Sequence, residues 1–356
     1  MSSEVKLSDT LSALLGTLAD GAFHSGEALG ECVGISRAAV WKQLQQLQGL
    51  GIDIERCRGR GYALSRPLIL LDVDRICASL STEVYRSVSV RGVQQIPSTN
   101  KYLMDAIHRG EDARGQVCIA EQQSAGSGRR GRPWQSPFGA NIYFSMAWRF
   151  ATGVAALEGL SLAVGVAVSR ALSVLGFPAV GLKWPNDLLW QNQKLGGVLL
   201  EIAGDASGEC YVVIGIGLNV RMPDAAGQSI DQPWTDLAAL VSASESAAEL
   251  ASSNVDLVTP TLDRNLVIAA MLEQLVPMLM DYERTGFAPW RDSWQSLNCY
   301  RGQLVSVSSA RESICGVLLG VDDSGALELD VDGQRRQFVG GELSLRTATT
   351  AFEGRS

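Results

Sequence analysis

Residues 126–141 read GSGRRGRPWQSPFGAN. Glycines at 126, 128 and 131 alternate with Arg129, Arg130 and Arg132, and Trp134 follows. Glycine lets backbone N–H groups come close to an anion. Arginine supplies planar donors that stay charged, and an indole offers a flat face to a base. A nucleotide phosphate held beside its own base is the economical reading; a flexible basic surface loop is the plain alternative. The loop is not a P-loop, because no G-K-S/T occurs and no helix follows directly. Residues 117–121 and 140–148 both read as strands, so the loop joins two strands.

Three further stretches carry polar groups at places where a fold exposes them. In IPSTNKYL, Ser98, Thr99 and Asn100 open a helix, with Ser98 suited to cap it. In LKWPNDLLW, Lys183, Asn186 and Asp187 surround Pro185 in a turn between two strands. Residues 194–220 read as a β-hairpin with Lys194 at its start, residues 204–209 as its connection and Asn219 at its end. Taken alone, each is also what an ordinary cap, turn or solvated lysine looks like.

Scarce residue types bound the chemistry. The chain has two histidines, His24 and His108. A histidine-rich metal site is excluded, and a Ser-His-Asp or Cys-His apparatus is disfavoured. No metal site is expected. The seven cysteines form no C-x-x-C pair and read as small buried hydrophobes in a reducing compartment. The chemistry must rest on lysine, arginine, carboxylates, amides and backbone.

The elements that hold these residues belong to a chain of 356 residues, long enough for two or three domains. At 46% hydrophobic and 19% charged residues it can bury a substantial core. Its longest apolar stretch, residues 160–175, is interrupted by Ser161, Ser169 and Arg170, so no membrane segment is expected. The polar start, MSSEVKLSD, lacks a signal-peptide apolar region, and a cytoplasmic protein is expected.

Net charge is −8, unevenly spread. Residues 1–66 are neutral, yet residues 34–66 hold six basic residues against Asp53 and Glu55, a local +4 that suggests an anionic partner. Residues 8–20 put Leu11, Leu14, Leu15 and Leu18 on one helical face, and residues 26–32 fit a second helix. After a turn at Gly34, Ser36 caps a third helix with Val40, Leu44 and Leu47 inward. Ser36, Arg37, Lys42 and Gln43 there, and Arg56, Arg58 and Arg60 on the following hairpin, are the candidate DNA contacts. The order helix, helix–turn–helix, basic wing places the last helix in a major groove and the wing on the backbone. A helical docking domain with solvated charges is the alternative.

Beyond the hairpin, the Ala- and Ser-rich residues 236–260 read as an insertion or mobile connection. A helix starts near Asp263, and Pro277 should kink it. From Arg301, short alternating strands with turns at 323–325 and 332–333 fit a small β-barrel.

The ordered set PSTN, GxGRRGRxWxSPxGAN, KWPND, KLGG and IGxGLN resembles the biotin protein ligases over nearly the whole chain. With the N-terminal helix–turn–helix and wing, it is similar to the bifunctional type that also represses a biotin operon. The resemblance implies an α+β multidomain protein. Residues 1–66 would be a winged helix–turn–helix, residues 67–298 a mixed α/β catalytic domain of the biotin/lipoate ligase, class II synthetase-like type, and residues 299–356 an SH3-like barrel. It also implies the reaction. Biotin's carboxylate attacks the α-phosphate of ATP, with Mg²⁺ sharing the work, and a lysine of the biotin carboxyl carrier protein of acetyl-CoA carboxylase takes the biotinyl group. Operator DNA and a homodimer formed on adenylate binding are the further partners.

By matching positions, Arg129, Lys183, Lys194 and Asp187 are implied as catalytic. Ser98, Thr99, Asn100, Gln123, Ser127, Gly128, Arg129 and Lys194 fall at the biotin, and Arg129, Arg132, Trp134, Asn186 and Asn219 at the adenylate. One departure stands out: members of the family it resembles usually carry a basic residue between the first two glycines of the loop, where this chain has Ser127. A ligand-sensing DNA-binding regulator with little ligase activity and a lipoate or octanoate ligase are the competing readings. Retention of Arg129, Lys183 and Lys194 disfavours the first; KWPND, the arginine loop and the N-terminal unit disfavour the second.

Overall fold

The computed structural model describes residues 4, 6–153, 157–178, 180–204, 208–250, 262–309, 312–340 and 343–347, with side chains left aside at 247–250. The N-terminal unit holds α1 (Asp9–Leu18), α2 (Gly26–Val33), α3 (Arg37–Gly49), β1 (Ile54–Cys57) and β2 (Gly61–Leu64). Leu11, Leu14, Leu15 and Leu18 of α1 and Val40, Leu44 and Leu47 of α3 meet in one core. Gly34 ends α2 at φ 71°, the left-handed conformation that closes a helix and turns the chain. Ser36 then accepts the Ala39 N–H and starts α3. The wing is the antiparallel pair β1–β2, with Arg56 opposite Tyr62.

The central part runs α4 (Val73–Ala78), α5 (Thr82–Ser87), β3 (Ser89–Ile96), α6 (Thr99–His108), β4 (Gln116–Gln123) and β5 (Ile142–Phe150). It continues with α7 (Leu160–Val174), β6 (Gly181–Lys183), β7 (Asp187–Trp190), β8 (Gln193–Gly204), β9 (Cys210–Leu218), α8 (Asp224–Gly227), α9 (Leu237–Leu250), α10 (Arg264–Thr285) and α11 (Arg291–Leu297). One seven-stranded mixed sheet, ordered β3-β4-β5-β9-β8-β7-β6, holds all its strands. Only β3–β4 is parallel, with α6 as its crossover. β5 sits inside the sheet and buries both faces, which suits its near-continuous apolar run. α7 and α10 cover one face; α6 packs Leu103 and Ala106 on the other.

The arginine loop joins β4 to β5, and the 194–220 hairpin is β8–β9, its connection lying partly outside the described residues. The expectation for residues 236–260 is an insertion or a mobile connection; helix α9 over Leu237–Leu250 rules out the second for that part, and alanine, the best helix former, favours it. Residues 251–261 of the same stretch lie outside the described residues. Asp263 caps α10, which continues through Pro277 as one helix of 22 residues.

β10 (Leu304–Ser308), β11 (Ser313–Val321), β12 (Leu327–Val331), β13 (Gln334–Phe338) and β14 (Ser344–Thr347) form an antiparallel sheet ordered β13-β12-β11-β10-β14. The described strands pair as an open antiparallel sheet, with no pairing that joins β13 to β14 among them. Its Val305, Val307, Leu318, Leu327 and Leu345 share one core with the central part. Because that core is continuous, this sheet is held against the central part.

The N-terminal unit is also tied down. The Leu7 N–H donates to Gln94 Oε1 at 2.7 Å, and Gln94 Nε2 donates to Ser12 Oγ at 2.9 Å. Phe138, at the end of the arginine loop, is buried in the N-terminal core beside Leu68. Arg264, 3% exposed, donates to Glu121, to the Ile69 carbonyl and to the Asn141 carbonyl, clamping the linker.

Candidate functional site

A cavity of about 790 Å³ opens over the β4–β5–β9–β8–β7 part of the sheet. Every central residue singled out from the sequence lines it: Ser98 to Asn100, Gln123, Ser127 to Arg129, Arg132, Trp134, Lys183, Asn186, Asp187, Lys194 and Asn219. The DNA-contact candidates lie elsewhere, on the N-terminal unit.

One end of the cavity is a neutral polar cluster. Ser98 caps α6 and is buried with Thr99 and Asn100. The Thr99 backbone N–H and hydroxyl both donate to Gln123 Oε1, at 2.9 and 3.1 Å. Gln123 Nε2 reaches Ser136 Oγ at 3.3 Å, and Ser136 donates to the Trp134 carbonyl at 2.9 Å. Asn100 Nδ2 donates to Glu201 at 2.7 Å, and its carbonyl meets Ser145 Oγ. Ser145 and Glu201 carried no signal in the sequence, because neighbouring strands bring them there from 45 and 101 residues away.

The other end is cationic. β6 delivers Lys183 and β7 begins at Asp187, so the turn between them presents Lys183, Asn186 and Asp187 together. Asn186 is braced by two backbone bonds to Val198 and Lys183 and by Nδ2 to the Val198 carbonyl at 2.8 Å. Arg129 Nη1 donates to Asn186 Oδ1 at 3.3 Å, and Lys194 Nζ pairs with Asp187 Oδ1 at 2.7 Å. Burial holds the Lys183 ammonium below the usual lysine range, although Asp187 opposes the effect. Burial likewise lowers Arg129, again against Asp187. Desolvated cations around a single carboxylate favour an incoming anion, whose charge would restore what burial removes.

The arginine loop is itself a hairpin. Ser127 bridges Pro133, Gly128 N–H donates to the Arg132 carbonyl at 2.8 Å, and Trp134 N–H to Gly126 at 2.8 Å. Ser127 is exposed at the rim and Arg130 takes a positive φ of 60°. Trp134 is folded down onto β9. A Cβ added at Gly217 would lie 2.5 Å from the indole, so only glycine lets the ring come so close. Lys194 Nζ stands 5.6 Å from the ring centroid.

Two buried polar atoms at the cavity have no hydrogen-bond partner among the described residues: Trp134 Nε1 and Asn219 Oδ1. Asn219 is 2% exposed, and its Nδ2 already donates to the Thr235 carbonyl at 2.9 Å. A buried acceptor left open in this way calls for a donor on a ligand.

Sequence reasoning missed the cover over this end. Residues 229–234 lie across β8, where Lys194 N–H donates to Pro233 and Thr235 N–H to Lys194, both at 2.9 Å. Trp234 lines the cavity there, its Nε1 on the Gly227 carbonyl at 3.2 Å. Tyr300 arrives from the turn before β10, its ring 5.9 Å from Lys183 Nζ, and Arg346 from β14. An aromatic in DQPWTD was the one available signal.

On the N-terminal unit, Arg37, Lys42, Arg56, Arg58 and Arg60 are exposed, and Arg60 lies 4.1 Å over the Phe23 ring. Ser36 is an exposed cap. Gln43 is turned in, with its Oε1 buried.

The biotin/lipoate A/B protein ligase family matches residues 92–219, and an HTH domain family matches residues 10–63. The bifunctional ligase/repressor BirA of Salmonella typhimurium is 41% identical over 335 residues, 94% of this chain and 97% of its own. The Escherichia coli protein of the same name is 40% identical with the same coverage. In fold, the chain is similar to the Aquifex aeolicus biotin protein ligase in complex with biotin and ATP, with TM-score 0.57 and 24% identity over 73% of this chain and 99% of that one.

Proposed function

Because the chain belongs to the family of bifunctional biotin ligase/repressors, we propose that it joins biotin to ATP in the described cavity, passes the biotinyl group to a carrier-protein lysine, and binds operator DNA through its N-terminal unit. Its residue ranges 1–66, 67–298 and 299–356 serve as DNA-binding, catalytic and C-terminal domains, the last of an SH3-like kind and the second of the class II synthetase-like type.

The observation that carries this reading is the two-ended cavity. A ureido ring is a small neutral group with N–H donors and a carbonyl, and the Thr99–Gln123–Asn100 cluster offers it matched partners in a buried setting. At the other end Arg129, Lys183 and Lys194 surround the Asn186–Asp187 turn. There a carboxylate and a phosphate, which repel each other, can approach within reach of fixed positive charge. Attack of the carboxylate oxygen on the α-phosphorus forms the mixed anhydride, and the bond to pyrophosphate breaks. Arg129 and Lys194 balance the charge that builds on the phosphate oxygens. Ser127 and Gly128 border the biotin, and Arg132 reaches the phosphates from the rim.

Trp134 lies beside the base, and the open Asn219 Oδ1 accepts from its exocyclic amine. In the second step a neutral carrier lysine attacks the carbonyl carbon and AMP leaves. Asp187, once the adenylate draws Lys194 away, orients that lysine or takes its proton. Mg²⁺ enters with ATP as part of the nucleotide substrate. Among the described residues no cluster of three His, Cys, Asp or Glu could hold it.

β8 runs to Gly204 but pairs with β7 only at residues 193–197, which leaves its later residues an open edge. That edge supports pairing of two copies once the adenylate is bound, each presenting one wing and reading helix to a half-site. No helix among the described residues is long and apolar enough to cross a membrane, and all seven cysteines are free, as suits a cytoplasmic location, although only Cys118 and Cys210 are the buried hydrophobes expected of all seven. The test is transfer of labelled biotin to a purified carrier domain with ATP. Label on one carrier lysine, lost in that lysine's arginine variant and in Lys194→Met, is expected; label independent of ATP would sink the reading.

A further inference from the structure

Among its described residues the N-terminal unit hides its large apolar side chains, with one exception. Trp41 on α3 is 50% exposed, whereas the other seven tryptophans of the chain are buried or half-buried. The helix turns Val40, Leu44 and Leu47 into the core. Its outward stripe is Ala38, Trp41, Lys42 and Gln45, all exposed and spaced as one helical face. Trp41 stands at the middle of that stripe, one turn after Arg37 and one turn before Gln45. Gln43, by contrast, keeps its Oε1 buried and is not part of it.

We propose that Trp41 is a sequence-reading residue of this unit, its indole packing in a major groove against the 5-methyl group of a thymine. The inference rests on the DNA-binding reading above and adds what is read. The arginines and lysine around the helix and wing neutralise phosphates, which fixes position but carries no sequence information. In the major groove the thymine methyl is the one apolar handle a base pair offers. A large, flat apolar side chain at the centre of the face is suited to that handle and to no phosphate. A second copy of this chain is a poorer occupant. Arg37 and Lys42 flank Trp41, and the surrounding residues 34–66 carry a local +4, so two such faces repel while a polyanion neutralises both.

The test uses the full-length protein with biotin and ATP. Duplexes are enriched from a randomised library by the unaltered protein, and each thymine in the winner is replaced in turn by uracil, which removes only the methyl. Uracil at one position per half-site should weaken binding about fourfold, the worth of one buried methyl. Trp41→Ala should bind more weakly and ignore uracil at that position, while Trp41→Phe keeps part of the effect. The salt dependence should be unchanged in Trp41→Ala and shallower by about two units of slope in Arg58→Ala, one for each wing of the pair. Biotin transfer by Trp41→Ala should match the unaltered protein, which certifies its fold.

Equal affinity and equal uracil sensitivity in Trp41→Ala overturn the proposal while leaving DNA binding intact. Loss of self-association in Trp41→Ala with DNA binding unchanged assigns the residue to a second copy and also overturns it. If no duplex is enriched at all, the DNA-binding reading fails first and takes this one with it.

Discussion

Ser127→Arg should slow escape of the adenylate. Ser127 sits at the exposed rim of the cavity, and its hairpin is made by backbone bonds that a longer side chain does not touch. A guanidinium there can donate to the ligand's phosphate, and a charge-assisted hydrogen bond contributes about 1.5–3 kcal/mol. Two effects reduce that figure. Solvent screens a rim position and removes more than half of that gain, and the positive charge of Arg129, Arg130 and Arg132 in the same loop loosens the hold of a fourth guanidinium on its place. A net gain of about 1 kcal/mol remains, or about fivefold in the off-rate. The assay is pulse–chase release of labelled biotinyl-adenylate from both proteins at low and high salt. The difference should narrow near 1 M salt, where charges are screened within about 3 Å, and Ser127→Gln should gain less. Equal off-rates at low salt would refute the reasoning.

Other perturbations test other parts. Gly217→Val places carbon where the Trp134 indole now lies, 2.5 Å away. The ring must shift by about 1 Å, and kcat/KM for ATP should fall by about 100-fold while thermal unfolding moves little. Arg264→Leu leaves Glu121 buried without its partner and frees the Ile69 and Asn141 carbonyls. It should cost about 3–5 kcal/mol in urea titration, and an unchanged midpoint would contradict the clamp. Burial lowers Lys183, so it loses its proton on the acid side of the ordinary lysine value of 10.5. Affinity for biotin, an anion throughout this range, should therefore fall as pH rises toward 10.5, sooner than an ordinary lysine would allow. Calorimetry should detect proton uptake on binding in that window, and Lys183→Met should abolish both effects.

The parts of this site that could be read from the sequence are the local ones. Ser36 and Ser98 are caps whose signal lies within four residues, and the arginine loop advertises itself by composition between two apolar runs. Lys183, Asn186 and Asp187 share one turn. What escaped was brought in from afar: Glu201 beneath Asn100, Trp234 over β8, Tyr300 from the turn before β10 and Arg346 from β14. Trp234, Tyr300 and Arg346 lie outside the motifs in the chain, Glu201 lies within the 194–220 hairpin without standing out from it, and pairing across a sheet leaves no mark on either strand's own pattern. Residues 237–250 were misjudged for another reason, since small residues suggest a linker by blandness while alanine favours helix by propensity. Phe138 sits in an apparently central loop yet packs in the N-terminal core, because the folded chain, not the order of motifs, decides which core a side chain joins.

Release of pyrophosphate from ATP by the purified protein, with biotin or lipoate as the acid, tests the central claim most directly. The account predicts release that depends on biotin, is not supported by lipoate, and is lost in Lys183→Met. Release with lipoate alone, or none with either acid from folded protein, would contradict it.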